Sequence, residues 1–146
     1  MNIEASLQEK ADLYFRNKKT SMIEHLGIEF ESFAEGEVMG SMPVDQRTHQ
    51  AFGMLHGGAS VVLAETLASV GAWLCCDVYR QTVVGMEINA NHIRPVQSGR
   101  VTGTAVSLHR GSQTQIWQIK ISNDKEKLVC VSRCTLAVIP LPDDRT

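Results

Sequence analysis

The chain has 146 residues, long enough for one domain to bury its own core without disulfides or metals to staple it. Fourteen Lys and Arg against sixteen Asp and Glu give a net charge of -2, and no basic run stands out. A polyanion therefore has no electrostatic footprint here, and nucleic acid is excluded as the expected partner.

The first twenty residues, "MNIEASLQEKADLYFRNKKT", carry charges throughout and lack the apolar stretch of a secretory signal, so a cytoplasmic protein is expected. Ile3, Leu7, Ala11, Tyr14 and Phe15 fall near helical spacing, which predicts an amphipathic surface helix over residues 4–18. Its expected role is packing only. It forms a helical extension, residues 1–20, of a single domain spanning 1–146.

From Gly27 the period changes to two. "GIEFESF" and "GEVMGSMPV" alternate on either side of Ala34, Glu35 and Gly36, which predicts a hairpin. After Pro43 comes a polar loop, "DQRTHQAFGML", long enough to carry chemistry, and then the pair Gly57-Gly58. The following run from Ala59 to Cys76 is apolar enough to raise a transmembrane helix. Glu65, Ser60, Thr66 and Ser69 interrupt it and no basic flanks anchor it, so a helix buried nearly all round inside a soluble domain is expected, with no membrane partner.

Beyond Asp77 the chain is extended. "TVVGMEINANHIRPV", "RVTGTAVSLHR", "TQIWQIKIS" and "KLVCVSRCTLAVI" read as strands separated by turns at Ser98-Gly99, Gly111-Ser112 and Asn123-Asp124. In the third of these, Trp117, Ile119 and Ile121 define a buried face. Short helix, two strands, one long apolar helix and four strands give an α+β fold, a curved antiparallel sheet wrapped around one central helix. Cys75, Cys76, Cys130 and Cys134 suit no disulfide framework and are expected reduced and buried, and no His or Cys spacing resembles a metal site.

Glu65 is the candidate centre, and two readings stand side by side: a carboxylate hydrogen-bonded by Ser69 one turn on, or a general base or nucleophile stripped of its water. His56-Gly57-Gly58 at a helix start is either an ordinary glycine turn or a place where free N–H groups and the helix dipole hold an oxyanion. In the preceding loop, His49 and Gln50 are either solvated or able to orient a carbonyl or water. Gly57 and Glu65 stand eight positions apart, roughly 12 Å along a helix axis. One carbonyl cannot reach both in one chain, so joint action requires two chains packed across a two-fold axis.

The segments "RTHQAFGMLHGGASVVLAETLAS", "VVGMEINANHIRPVQSGRVTG" and "LHRGSQTQIWQIKI" closely resemble the hotdog-fold acyl-CoA thioesterases, in the branch with 1,4-dihydroxy-2-naphthoyl-CoA hydrolase and the enterobactin proofreading thioesterase. The likeness runs from about Gly27 to Ile139. It implies that the Gly57 N–H polarises the thioester carbonyl, that Gln50 places the water or reacting group, that His56 helps position the carbonyl, and that Glu65 with Ser69 comes from the opposing subunit. Glu65 stays open between nucleophile and base. The resemblance also places His92 and Arg94, with Arg110, Gly111 and Ser112, on the coenzyme A portion of the substrate, although a strand His or a surface Arg also suits a purely structural or solvated role. It implies no separate cofactor, and a homodimer that pairs into a dimer of dimers. The expected activity is hydrolysis of an aromatic acyl-CoA. The alternatives are removal of aryl groups misloaded on a carrier protein and, in a different class, a non-catalytic acyl-CoA-binding module.

Overall fold

The computed structural model describes residues 1–16 and 21–141. In chain order the elements are β1 (Asn2–Ile3), a 3-10 turn (Ala5–Leu7), α1 (Gln8–Arg16), α2 (Met22–Leu26), β2 (Glu29–Ala34), β3 (Glu37–Pro43), α3 (Gly57–Leu74), β4 (Gln81–His92), β5 (Arg100–Arg110), β6 (Thr114–Asn123) and β7 (Leu128–Pro140). They form one seven-stranded sheet in the order β1-β2-β3-β5-β6-β7-β4. Every pairing is antiparallel except that of β1, which lies parallel to β2.

Helix α3 packs against β3, β5, β6, β7 and β4. Five adjacent strands at about 4.8 Å spacing span roughly 19 Å, while a helix with its side chains is only about 10–12 Å across. The sheet must therefore curve to bring all five onto α3. Leu67 sets how close the helix comes. Gly40 and Gly103 face each other across β3 and β5, and a Cβ on either would stand 2.8 and 2.7 Å from the two Leu67 methyl carbons. On the next turn Gly71 takes the ring of Trp117, which leaves no room for a side chain there. Trp117, Ile119 and Ile121 are completely buried, as their alternation predicts.

Four expectations need correction. The helix predicted over 4–18 is a 3-10 turn followed by α1, and residues 17–18 lie outside the described residues. A second helix, α2, precedes β2. Its start is fixed by Glu24, whose carboxylate accepts from both the backbone N–H and the hydroxyl of Ser21 at 2.7 and 2.6 Å, and its end by Gly27 in the left-handed region. The strand predicted to reach Val96 stops at His92. Past that point the Ile93 and Arg94 N–H groups both turn to the Val129 carbonyl, and Pro95 has no N–H to continue the ladder. Finally, α3 is long and apolar enough to cross a membrane by length and composition, but only half of it is buried. Val62, Glu65, Thr66, Ser69 and Trp73 form a half-exposed stripe rather than part of an enclosed core.

All four cysteines are free; Cys75 is half-buried and the other three are buried. Burial, with the negative charges of Glu65 and Glu87 behind it, pushes the Cys134 thiol up to about 12. Burial also raises Cys76 and Cys130. Those three are neutral thiols at physiological pH.

Candidate active site

The loop between β3 and α3 is held by its own side chains. The Asp45 carboxylate accepts from the Arg47 backbone N–H and grips its guanidinium, with the shortest contact 2.6 Å. This partnership holds the Asp45 carboxyl down at about 2. Buried Thr48 donates its hydroxyl to the Pro43 carbonyl at 2.8 Å. His49 is not simply solvated, since its Nε2 reaches the Gln97 carbonyl at 3.0 Å. Gln50 is anchored by its N–H on the Met54 carbonyl, 2.8 Å, and its side-chain oxygen accepts from the Phe52 N–H.

The loop delivers His56 to the N-cap of α3. The His56 N–H donates to the Thr48 carbonyl, and its ring Nδ1 accepts from the Gly58 N–H, each at 2.8 Å. This geometry places the proton of a neutral His56 ring on Nε2. Capping stands beside the carbonyl-positioning role expected for His56, and it occupies one of the two glycine N–H groups. Among the described residues the Gly57 N–H has no partner, and it stands at the positive end of an 18-residue helix. His92, from the end of β4, lies over the same glycine, where a Cβ would stand 2.8 Å from its Nε2. Gln50, Gly57, Ser60, His92 and Arg94 line one cavity of about 320 Å³.

Glu65 and Ser69 line a different cavity, of about 470 Å³, two turns further along α3. No described donor, Ser69 included, makes a hydrogen bond to the Glu65 carboxylate, so the first structural alternative for this residue is not realised. What positions the carboxylate is a missing atom. A Cβ at residue 85 would stand 2.7 Å from Glu65 Oε1, and β4 is bulged between Gly85 and Glu87. The rest of this cavity includes Trp73 and Val70 of α3, Thr82 and Val83 of β4, and Tyr14, Met22 and Ile23 from the N-terminal segment. Burial, and then the charge of Glu24, raises the Tyr14 phenol, which is therefore neutral at physiological pH.

Arg110, Gly111 and Ser112 do not join either cavity. Arg110 is paired with Glu35 at 2.9 Å and lies 3.7 Å from Cys75 Sγ, just past the C-terminus of α3. Ser112 lines a separate hollow with Arg80. The helix separates these residues from Gly57 by about 25 Å within one chain. Among the described residues no cluster of three or more His, Cys, Asp or Glu is arranged to hold a metal ion.

Residues 52–130, which carry both Gly57 and Glu65, match the thioesterase superfamily. The chain belongs to that family. It is a thioester hydrolase with the hotdog fold, as the sequence implied. It is 50% identical over 119 residues to the 1,4-dihydroxy-2-naphthoyl-CoA hydrolase of Escherichia coli, covering 82% of this chain and 87% of that one. It is also 46% identical over 123 residues to the proofreading thioesterase EntH of Klebsiella pneumoniae, covering 84% and 89%. The crystal structure of a thioesterase from Haemophilus influenzae superposes with a TM-score of 0.83 at 48% identity, over 94% of each chain. Sequence reasoning missed Gly85 and the N-terminal wall of the Glu65 cavity. An isolated glycine inside the strand pattern "TVVGMEI" was the available signal for the first.

Proposed function

We propose that this thioesterase hydrolyses an aromatic acyl-CoA, with 1,4-dihydroxy-2-naphthoyl-CoA the leading substrate, in sites shared between two protomers. The observation that carries the reading is the separation of the two chemical halves. The free Gly57 N–H and the Glu65 carboxylate open into different cavities, eight helical positions and roughly 12 Å apart. Pairing Gly57 of one protomer with Glu65 of another resolves the gap. Strand β4 offers the means, since this twelve-residue edge strand exposes Val84 and Met86 and, among the described residues, pairs only with β7. A long edge with unpaired backbone N–H and C=O groups and two exposed apolar side chains is a template for a second chain. Dimers would then pair into a dimer of dimers.

In such a site the Gly57 N–H receives the thioester carbonyl oxygen and stabilises the negative charge that develops as the carbonyl carbon becomes tetrahedral. Gln50 and His92 flank that position, and His56 acts by holding the helix start. Glu65 either takes a proton from the attacking water or attacks the carbon itself to form an anhydride that water then opens. In both routes the C–S bond breaks, water's oxygen adds to the acyl carbon (of the thioester, or of the acyl side of the anhydride), and the proton that water gives up goes to the thiolate, so the coenzyme ends as its thiol. His92 and Arg94 at the mouth of the Gly57 cavity suit the pantetheine and phosphate portion. Contacts from Arg110, Gly111 and Ser112 to the same coenzyme would come from another protomer. The relative named a proofreading thioesterase supports a second reading, in which the aryl thioester sits on a carrier protein.

The test is a mixed dimer. Glu65→Gln and Gln50→Ala/His56→Ala protomers, each inactive alone, are co-expressed, and recovery of aryl-CoA hydrolysis is expected because one shared site then carries neither lesion. Mixed dimers confirmed by mass with no recovered activity would overturn the shared site. Rates on matched CoA and carrier-bound thioesters decide between the two substrates.

A further inference from the structure

Resting on the reading of Glu65 as the acyl-transfer centre, we infer that the N-terminal segment selects the acyl group. The cavity beside Glu65 is walled on one side by Tyr14 of α1 and by Met22 and Ile23 of α2. All three lie outside the 52–130 stretch matched to the family, whereas Glu65, Ser69 and Gly57 lie inside it. The stretch matched to the family carries Glu65, and the N-terminal segment closes the cavity beside it, so this segment decides what fits against the carboxylate. Tyr14 thus lines a cavity as well as packing, a role the sequence did not suggest for the N-terminal helix.

Tyr14, the aromatic residue of this wall, is held in place by its neighbours. Tyr14 stands 6.0 Å from Trp73, which lines the cavity from α3, and 5.3 and 5.8 Å edge-on from Phe15 and Phe30. Phe15 in turn stacks on buried Phe33 at 5.9 Å. Rings locked edge-to-face in this way offer a flat acyl group further edge and face contacts at a set width. Lys10 ties the same helix to α3 by donating to the Leu74 and Cys76 carbonyls at 2.7 Å each, so α1 and the helix bearing Glu65 keep their spacing. Met22, 61% exposed, sits at the rim, where a flexible thioether adapts to the far edge of the ligand. The site takes an apolar, planar acyl group, and its width is set by Tyr14 and Ile23.

Steady-state kcat/KM on benzoyl-CoA, 1,4-dihydroxy-2-naphthoyl-CoA and hexanoyl-CoA tests the assignment in Tyr14→Leu, Ile23→Ala and Met22→Ala, with Phe15→Leu as the control. Phe15 belongs to the same ring cluster but does not line the cavity. Tyr14→Leu should lower the aryl-to-hexanoyl ratio, and Ile23→Ala should raise the naphthoyl-to-benzoyl ratio, each on the order of 10-fold. Phe15→Leu, which touches Tyr14 without lining the cavity, should move both ratios much less than Tyr14→Leu does, whatever it does to the melting temperature. Met22→Ala, at an exposed rim, keeps the test open if a larger truncation fails to fold; a ratio shift of a few fold is expected. Equal losses on all three substrates, or a shift in Phe15→Leu as large as in Tyr14→Leu, would overturn the inference. A wild-type protein that hydrolyses none of the three would instead defeat the reading of the activity itself.

Discussion

The two halves of the site are built in opposite ways. At Gly57 the proposed reactive group is a backbone N–H, and the loop before it is fixed by hydrogen bonds: Asp45 on Arg47, Thr48 on Pro43, His56 on Thr48 and on Gly58. At Glu65 the proposed reactive group is a side chain with no hydrogen bond from the described residues, and it occupies space that a Cβ at Gly85 would take. An oxyanion donor works best preorganised, because it need not reorganise as charge appears. A carboxylate that must take a proton or form a bond works best with its oxygens uncommitted. The contrast gives a direct way to interfere with each half separately.

Glu65→Gln should have the largest effect. It keeps the shape and removes the base or nucleophile, so kcat should fall by about 10²- to 10⁴-fold, and further if the route is covalent. A folded variant with near-normal turnover would remove Glu65 from the chemistry. Rates should be unchanged after exhaustive dialysis against a strong chelator, since the developing charge is assigned to an N–H group; activity restored only by added zinc would contradict that.

Gly85→Ala comes next. The added methyl would stand 2.7 Å from Glu65 Oε1, so the carboxylate or the strand must shift, and displacement by about 1 Å costs on the order of 10²-fold in rate. Gly85 is a positioning residue, so the loss should appear in kcat with KM nearly constant. Equal changes in both, or a collapse in melting temperature, would mean that the substitution disturbs β4 rather than the carboxylate.

Much of this architecture is legible in the amino-acid sequence itself. Strands with a clean period of two, such as the one carrying Trp117, Ile119 and Ile121, declare their buried face because each is solvated on one side only. The Gly57 to Glu65 separation follows from helical rise alone. What the sequence hides is whatever depends on how far an element travels. Arg94 and Arg110 are sixteen positions apart, and β5 of eleven residues runs roughly 34 Å between them and carries Arg110 to the other end of α3. Helix α2 escapes a reading by periodicity although Ser21 and Glu24 spell a helix start, because five residues are too few to show a period. The role of Tyr14 is not legible at all, since its spacing only says that it faces something, and the cavity exists only once α1, α2 and α3 are together.

His56→Ala probes the backbone half with a smaller effect. Losing the side-chain cap on Gly58 should lower stability by about 1 kcal/mol, read from denaturant midpoints. If the ring acts by holding the helix start, His56→Asn should recover most of that stability and most of the activity, because Asn also caps well. Restored stability without restored turnover would return the ring to direct contact with substrate.

Asp45 should matter least, and it separates the loop from the chemistry. Its carboxyl is held at about 2, against an ordinary value of 3.8, chiefly by the hydrogen bond to Arg47. Because the folded value is the lower one, the stabilisation is fully present above 3.8, declines as pH falls through the interval, and is gone below about 2. Asp45→Asn keeps the turn-forming oxygen but loses the charge, so its melting temperature should lie slightly below wild type from pH 5 to 8 and converge with it as pH falls past the folded value. The Arg47 and Asp45 side chains are 45% and 42% exposed, so salt should shrink the difference at neutral pH. Turnover at saturating substrate should hardly change, since the His56 and Thr48 contacts remain. A large loss of turnover at neutral pH with unchanged stability would show that the loop, and not only Gly57, answers to the substrate.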